Sequence, residues 1–298
     1  MTLDVDGVTA GLAGQDYLAD EGLATAVFLA LRLQRPLFLE GDAGVGKTEV
    51  AKALAGWTGG RLVRLQCYEG IDAAQALYEW DYARQLLHLR IAEAAGADRT
   101  ALEAELYDER FLVRRPLLQA LAASDDGVAP VLLIDEIDRA DDEFEAFLLE
   151  LLSDWSVSIP ELGTVTAAVP PVTVLTSNRT RDVHDALKRR CLYHWIDQPE
   201  LDREVAIVGV RAPEVPITLA RQVAAAVAEI RALRLYKVPG VAETIDWGRA
   251  LAALGSTELD ESSVAATLGW VVKYREDQQR VRDHGVDALV REAVRRSA

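Results

Sequence analysis

A parallel, doubly wound α/β sheet domain followed by an all-helical domain is the fold this sequence predicts, and three observations carry the prediction. Residues 41–48, Gly-Asp-Ala-Gly-Val-Gly-Lys-Thr, fit the G-x-x-x-x-G-K-[ST] phosphate-loop pattern at every specified position. Short apolar runs alternate with stretches of helical periodicity up to Gln198-Pro199, the pattern of a parallel sheet wrapped by helices. Beyond that point no convincing strand follows, while helical periodicity continues to the end of the chain.

Taken in order, residues 20–34 put Leu23, Val27, Ala30 and Leu31 on one face of an amphipathic helix. Pro36–Glu40 reads as a short buried strand ahead of the loop, and Glu49–Trp57, with Val50, Ala53 and Leu54 at helical spacing, as the helix behind it. Arg61–Gln66 alternates as a second strand. Residues 72–123, rich in Ala, Leu and charge, read as largely helical with a break around Ala95-Gly96-Ala97; the length exceeds a simple strand-to-strand crossover and marks an insertion. Pro130–Ile134 is a buried strand ending in acids, and Asp141–Asp154 a helix presenting Phe144, Phe147, Leu148 and Leu151. Between Trp155 and Ala168, β-branched residues alternate around Pro160-Glu161-Leu162-Gly163, the signature of a hairpin. Pro170-Pro171 bars a helix and introduces the strand Val172–Thr176, and Tyr193–Ile196 supplies a last one. A nucleotide-binding domain over 1–199 and a helical lid over 200–298 follow, the lid with periodicity at 217–233, 247–254, 262–274 and 285–295.

Composition narrows the function. The 298 residues, half of them hydrophobic, suffice for a large core. A net charge of −16 argues against a broad nucleic-acid or anionic-membrane footprint, which needs clustered Lys and Arg. The N-terminus carries acids where a secretion signal carries bases, and no apolar run approaches 18 residues, so a soluble cytoplasmic protein without membrane insertion is expected. Cys67 and Cys191 stand apart with no C-x-x-C, and His88, His184, His194 and His284 are scattered, so neither zinc nor thiol chemistry is indicated.

The motif residues point to chemistry. Polyphosphate needs inward backbone N–H groups, little side-chain bulk, a cation and a helix N-terminus. The run Gly41, Asp42, Ala43, Gly44, Val45, Gly46, Lys47, Thr48 offers all of them: the glycines permit the tight turn, Lys47 reaches the β- and γ-phosphates, and the Thr48 hydroxyl is placed to ligate Mg²⁺ of an ATP complex. Hydrolysis needs a second, acid-bearing strand, and Val131–Glu136 supplies it, with Asp135 holding Mg²⁺ through water and Glu136 acting as the base on the attacking water. Asn178, at the end of Val172–Ser177, can hold that water or the γ-phosphate, or simply form a turn.

The order of phosphate loop, Asp135-Glu136 and Asn178 resembles the AAA+ ATPases. Residues 41–48 with Ile134-Asp-Glu-Ile-Asp-Arg-Ala140 resemble the MoxR branch, and Leu65–Asp72, Leu77–Tyr82 and Ala186–Leu192 are similar to its CoxD group, associated with maturation of molybdenum-copper carbon monoxide dehydrogenase. The resemblance implies a homo-hexameric ring with ATP at each subunit junction, completed by a neighbour's arginine finger at Arg190, with Arg189 as its alternate. It further implies a second sensor, early in a lid helix, for which Arg249 is the candidate, and a von Willebrand A-type partner alongside a metalloenzyme client. Arg139 either contacts a neighbouring subunit or belongs to the first turn of a helix. Tyr68-Glu-Gly70 stands where related unfoldases carry an aromatic pore loop, the alternative being packing against the insertion; the hairpin at 156–167 is the other element that could touch a client. Three functions fit: a remodelling ATPase for a metal centre, a ring motor with another client such as a carboxylase or nitric oxide reductase, and a nucleotide-switched scaffold.

Overall fold

The computed structural model describes residues 3–94, 105–122, 127–160 and 162–297. They form two compact units, one comprising the residues through Gly11, Asp20–Glu40 and Ala51–His194, the other Leu12–Ala19, Gly41–Val50 and the chain from Trp195 onward.

The first unit is built on a parallel sheet. Helix α1 (Val5–Ala13) precedes α2 (Glu21–Leu33), whose start is fixed by the Asp20 carboxylate accepting the Leu23 N–H at 2.7 Å. Then come β1 (Leu37–Gly41), α3 (Lys47–Thr58) and β2 (Leu62–Gln66). The insertion contains α4 (Ala73–Leu77), β3 (Tyr78–Trp80), α5 (Tyr82–Ala94), a 3-10 turn at Glu109–Phe111, β4 (Leu112–Arg114) and α6 (Pro116–Leu121). After it run β5 (Val131–Asp135), a 3-10 turn at Ile137–Arg139, α7 (Asp142–Asp154), β6 (Ser156–Ile159), β7 (Gly163–Thr166), β8 (Val172–Ser177), α8 (Asp185–Arg190) and β9 (Leu192–Ile196).

The sheet order is β2-β5-β8-β1-β9, and the ladders β2–β5, β5–β8 and β8–β1 are parallel. All five strands form within a residue of their expected limits; β5 is buried at every position, leaving no polar face for another structure, whereas β2 alternates buried and exposed residues. In a parallel sheet the carboxyl ends share one edge. Register pairs Gln66 with Asp135 and Glu40 with Ser177, so β2, β5, β8 and β1 all deliver their last residues there. Phe38, Leu132, Ile134 and Leu175 join Phe144, Leu148 and Leu151 of α7 in the core of this unit.

Among its described residues the insertion is largely helical, as expected, but it also contains a short strand pair that was not expected. β3 and β4 form an antiparallel pair, Tyr78 opposite Arg114 and Trp80 opposite Leu112, and Trp80 is buried. Its strands are three residues each and pair across a long loop, which leaves no local periodicity to detect. The break expected at Ala95-Gly96-Ala97 lies outside the described residues. The hairpin β6–β7 forms as expected, with Ile159 opposite Gly163.

The second unit contains α9 (Leu201–Arg211), α10 (Ile217–Ala232), α11 (Val241–Ala253), α12 (Glu261–Val271), α13 (Arg275–His284) and α14 (Val286–Ser297). α10 is buried almost all round, with Leu219, Val223, Val227 and Ile230 inside, and the other helices pack on it. Trp247 of α11 is wholly buried, and its indole N–H donates to Thr267 of α12 at 2.8 Å. Glu204, also buried, accepts two bonds from Arg231 at 2.7 and 2.8 Å and one from Thr244 at 2.6 Å, tying α9, α10 and α11 together. Three helices depart from expectation, the first being α9, since 201–211 is not among the expected periodic stretches. α11 begins at Val241 rather than at 247, because Gly240 caps it with Glu243 reaching back to the Gly240 N–H at 2.9 Å. α13 carries almost no apolar stripe; Val281 and the carboxylate of Asp277 are its buried residues, and Asp277 accepts from the Tyr236 and Lys237 N–H groups. Among the described residues no helix is long and apolar enough to cross a membrane.

Candidate nucleotide site

The phosphate loop leaves the end of β1 and closes into the first turn of α3. Gly44 and Gly46 sit at φ +80° and +93°, a region where any side chain is strained, so their glycines are required by the turn itself. Lys47 is buried, and its ammonium donates to the loop's own carbonyls, Gly41 at 2.7 Å and Asp42 at 2.6 Å, which holds the loop curled around the cation. Thr48 follows in the first helical turn, and Glu49 pairs with Arg211 at 3.1 Å.

Other residues of the same unit close on this loop. The Ala242 N–H donates to Gly44 O at 3.3 Å. A β-carbon on Gly240 would stand 2.6 Å from Ala43 O and 2.7 Å from Gly44 Cα, so the start of α11 approaches the loop at a distance only glycine permits. The Glu243 carboxylate lies beside Gly44. Tyr17 places its ring in van der Waals reach of Gly46, in a segment tied to α9 by Arg203 donating to Leu18 O at 3.0 Å. Sequence reasoning missed Tyr17, Gly240 and Glu243, whose positions depend on contacts between distant segments.

At the sheet edge of the other unit, β5 ends in Asp135, which is almost wholly buried. Its Oδ1 accepts the Thr176 hydroxyl at 2.5 Å and its Oδ2 accepts Arg64 through Nε at 3.0 Å and Nη2 at 2.5 Å. Glu136 follows at φ +56°, a conformation costing about 1–3 kcal/mol for a residue with a side chain and found where a functional geometry imposes it. Its N–H donates to the same Thr176 hydroxyl at 3.0 Å. Its carboxylate accepts Gln66 at 3.1 Å, Arg139 at 2.8 Å and the Asn178 amide at 3.4 Å. The strand end thus brings Asn178 within hydrogen-bond reach of Glu136. Arg139 ends a 3-10 turn rather than opening a helix, and turns back on Glu136.

Asp138 completes the cluster from below. It is buried and accepts the Asn178 N–H at 3.2 Å, the Thr180 N–H at 2.8 Å and the Thr180 hydroxyl at 2.6 Å, fixing the chain that follows β8. Burial first, then the carboxylates of Asp135, Asp138 and Glu136, push the neighbouring Cys67 thiol up to about 12. Arg64, Gln66, Thr176 and Asp138 were not singled out from sequence. Arg64, Gln66 and Thr176 act through strand register, which the sequence alone does not reveal, and Asp138 acts from the turn after β5.

The remaining candidates are dispersed. Arg189 and Arg190 end α8, where Arg35 binds both of their carbonyls, at 2.8 and 3.1 Å. Arg190 also bonds Ser153, whereas the exposed Arg189 guanidinium has no hydrogen bond or ion pair among the described residues. Arg249 lies in the third turn of α11, not early in a helix, and its guanidinium is held by Glu214 at 2.9 Å and Arg211 O at 2.5 Å. Tyr68 is half exposed after β2, with its hydroxyl donating to Gln75 of α4 at 2.6 Å.

Compared with curated proteins, the chain matches none. Residues 36–191, just over half of it, match the family model described as AAA domain (dynein-related subfamily), a span that starts ahead of β1 and ends after α8. The chain belongs to the AAA domain family, dynein-related subfamily.

Proposed function

We propose that this protein is an ATP-hydrolysing remodelling motor of the MoxR branch, and that the observation carrying this reading is a shared sheet edge. The edge at which β1 hands the chain to residues 41–48 is the edge at which β5 ends in Asp135-Glu136 and β8 in Ser177-Asn178. Lys47 and the loop amides neutralise and orient the triphosphate. Glu136 takes a proton from the attacking water, with Asn178, bonded to its carboxylate, orienting it. Thr176 and Arg64 hold Asp135 in one orientation. The Thr48 hydroxyl and Asp135 carboxylate are hard oxygen donors suited to Mg²⁺, which when bound offsets the charge of the phosphates.

The finer reading rests on resemblance. In it the chain assembles as a cytoplasmic homo-hexamer with a von Willebrand A-type partner and serves the maturation of a metalloenzyme such as molybdenum-copper carbon monoxide dehydrogenase. A motor with a carboxylase- or nitric oxide reductase-type client uses the same site. Arg189 supports the finger role better than Arg190, since its guanidinium is not engaged by Ser153.

A nucleotide-switched scaffold is the second reading. It is favoured by the three donors already on the Glu136 carboxylate, which leave it little open acceptor capacity for a water. Steady-state hydrolysis and ATP binding by Glu136→Gln test the main reading. We expect turnover to fall by about 10²–10⁴ with ATP affinity retained. Absence of ATP binding by the wild type, or unchanged turnover in the variant, would overturn it. Size-exclusion mass with and without ATP tests assembly, and capture on the Glu136→Gln trap addresses the client.

A further inference from the structure

An exposed aromatic and basic patch in the helical unit is not used by any of this chemistry. Tyr236 is 79% exposed, Trp270 52% and Tyr274 40%, although large aromatics are normally at least partly covered. Tyr236 and Tyr274 meet edge to face with ring centroids 5.2 Å apart, and the Lys273 ammonium lies 5.8 Å from the centre of the Trp270 ring. The backbone under this surface is anchored. Asp277 accepts the Tyr236 and Lys237 N–H groups at 2.8 and 3.0 Å, Arg280 binds Arg234 O at 2.6 Å, and Gln278 binds Val272 O at 2.9 Å. The backbone that carries Tyr236 and leads into Tyr274 is thus anchored before any partner arrives, which lowers the entropy cost of binding.

Charge identifies the partner. Arg234, Lys237, Lys273, Arg275, Arg280 and Arg282 are exposed on these segments, against the exposed acids Glu276 and Asp283 and the buried Asp277, which pairs with Arg280 at 3.7 Å. The chain as a whole has 48 acids to 32 bases. A basic island on an acidic protein, bearing Tyr, Trp and Arg, has the composition of an interface hot spot. We infer that this patch docks an acidic polypeptide segment of a partner protein, its carboxylates on the Lys and Arg groups and an apolar side chain on Trp270 and Tyr236. The net charge of −16 opposes an extended nucleic acid, which would have to approach the rest of the acidic surface.

The test is fluorescence anisotropy of a labelled Glu-rich peptide containing one Phe, titrated with the full chain, beside a labelled single-stranded oligonucleotide. Wild type binds the peptide, and binding weakens as salt rises. The surface variants Trp270→Ala with Tyr236→Ala, and Lys273→Glu with Arg275→Glu, each weaken it by about tenfold or more while keeping the wild-type circular dichroism and melting temperature. Absence of peptide binding, equal binding by the variants, or preference for the oligonucleotide overturns the inference. So does sedimentation showing that these variants instead dissociate a self-association of the chain. None of these readouts requires ATP hydrolysis, so they stand apart from the motor reading.

Discussion

Gly240 lies backbone against backbone with Gly44: the space a β-carbon would need at Gly240 is filled by Ala43 O and Gly44 Cα, and the Ala242 N–H bonds Gly44 O at 3.3 Å. The start of α11 is therefore a wall of the phosphate loop. A loop so backed is held in its curl, and the helix that backs it is in position to feel any ligand bound there.

Gly240→Ala should disturb the loop directly. The new methyl meets backbone rather than a movable side chain, so the cost is that of overpacking, about 1–3 kcal/mol. Nucleotide affinity by calorimetry should fall by roughly tenfold at the same magnitude, alongside a lower melting temperature. An unchanged affinity would show that the contact does not shape the loop.

Glu243 makes a different prediction. Its carboxylate reaches the Gly240 N–H at 2.9 Å and stands beside Gly44, so a triphosphate entering the loop meets a nearby negative charge. Glu243→Gln keeps an acceptor for the cap and removes the charge. ATP affinity should rise roughly fivefold, about 1 kcal/mol, and the gain should shrink at high salt. A loss of affinity would mean that the charge is not felt at the loop.

Thr176→Val removes the one hydroxyl that bonds both Asp135 Oδ1 and the Glu136 N–H, and it substitutes a side chain of nearly the same shape. Losing a hydrogen bond at each of these two groups costs about 0.5–1.5 kcal/mol apiece. We expect a melting temperature several degrees lower and slower hydrolysis. A variant as stable as wild type would mean that water restores both bonds.

What could be read from sequence was whatever is local. Residues 41–48 announce the loop because the glycines, lysine and threonine act within one turn, β1 and β5 announce themselves as short apolar runs, and β8 follows the helix-barring Pro170-Pro171. Thr176 and Arg64 could not be found that way, since their partner Asp135 is set by the registers of β8 and β2. Gly240 was hidden because Gly44 is far from it in sequence. The β3–β4 pair and the polar helix α13 were missed for want of periodicity, Asp277 of α13 being buried by hydrogen bonds rather than by hydrophobicity.

The two arginines of α8 separate cleanly. Arg190 bonds Ser153, so Arg190→Ala costs a surface contact of up to about 1 kcal/mol and is expected to leave ATP affinity alone. Arg189→Ala removes an unengaged cation. If it completes a neighbour's site, turnover of the assembled protein should fall by about 10³ or more, and mixing it with inactive Glu136→Gln should restore part of the turnover. No recovery on mixing would place Arg189 outside any shared site.

Base should weaken the fold through its two thiols. Burial pushes Cys67 and Cys191 from 9.0 up to about 12, with nearby acids adding to the effect at Cys67 and Arg35 partly offsetting it at Cys191. Both groups bind their protons more tightly folded than unfolded. Their contribution is therefore fully present below pH 9 and is lost as pH rises from 9 through 12, at about 1.4 kcal/mol per pH unit for each thiol. Denaturant titrations across that range should show the double variant Cys67→Ala, Cys191→Ala losing stability less steeply than wild type, although it starts lower because of the cavities it leaves. The same burial predicts that neither thiol reacts with a disulfide reagent at pH 8 until the chain is unfolded; rapid labelling of the native protein would contradict it.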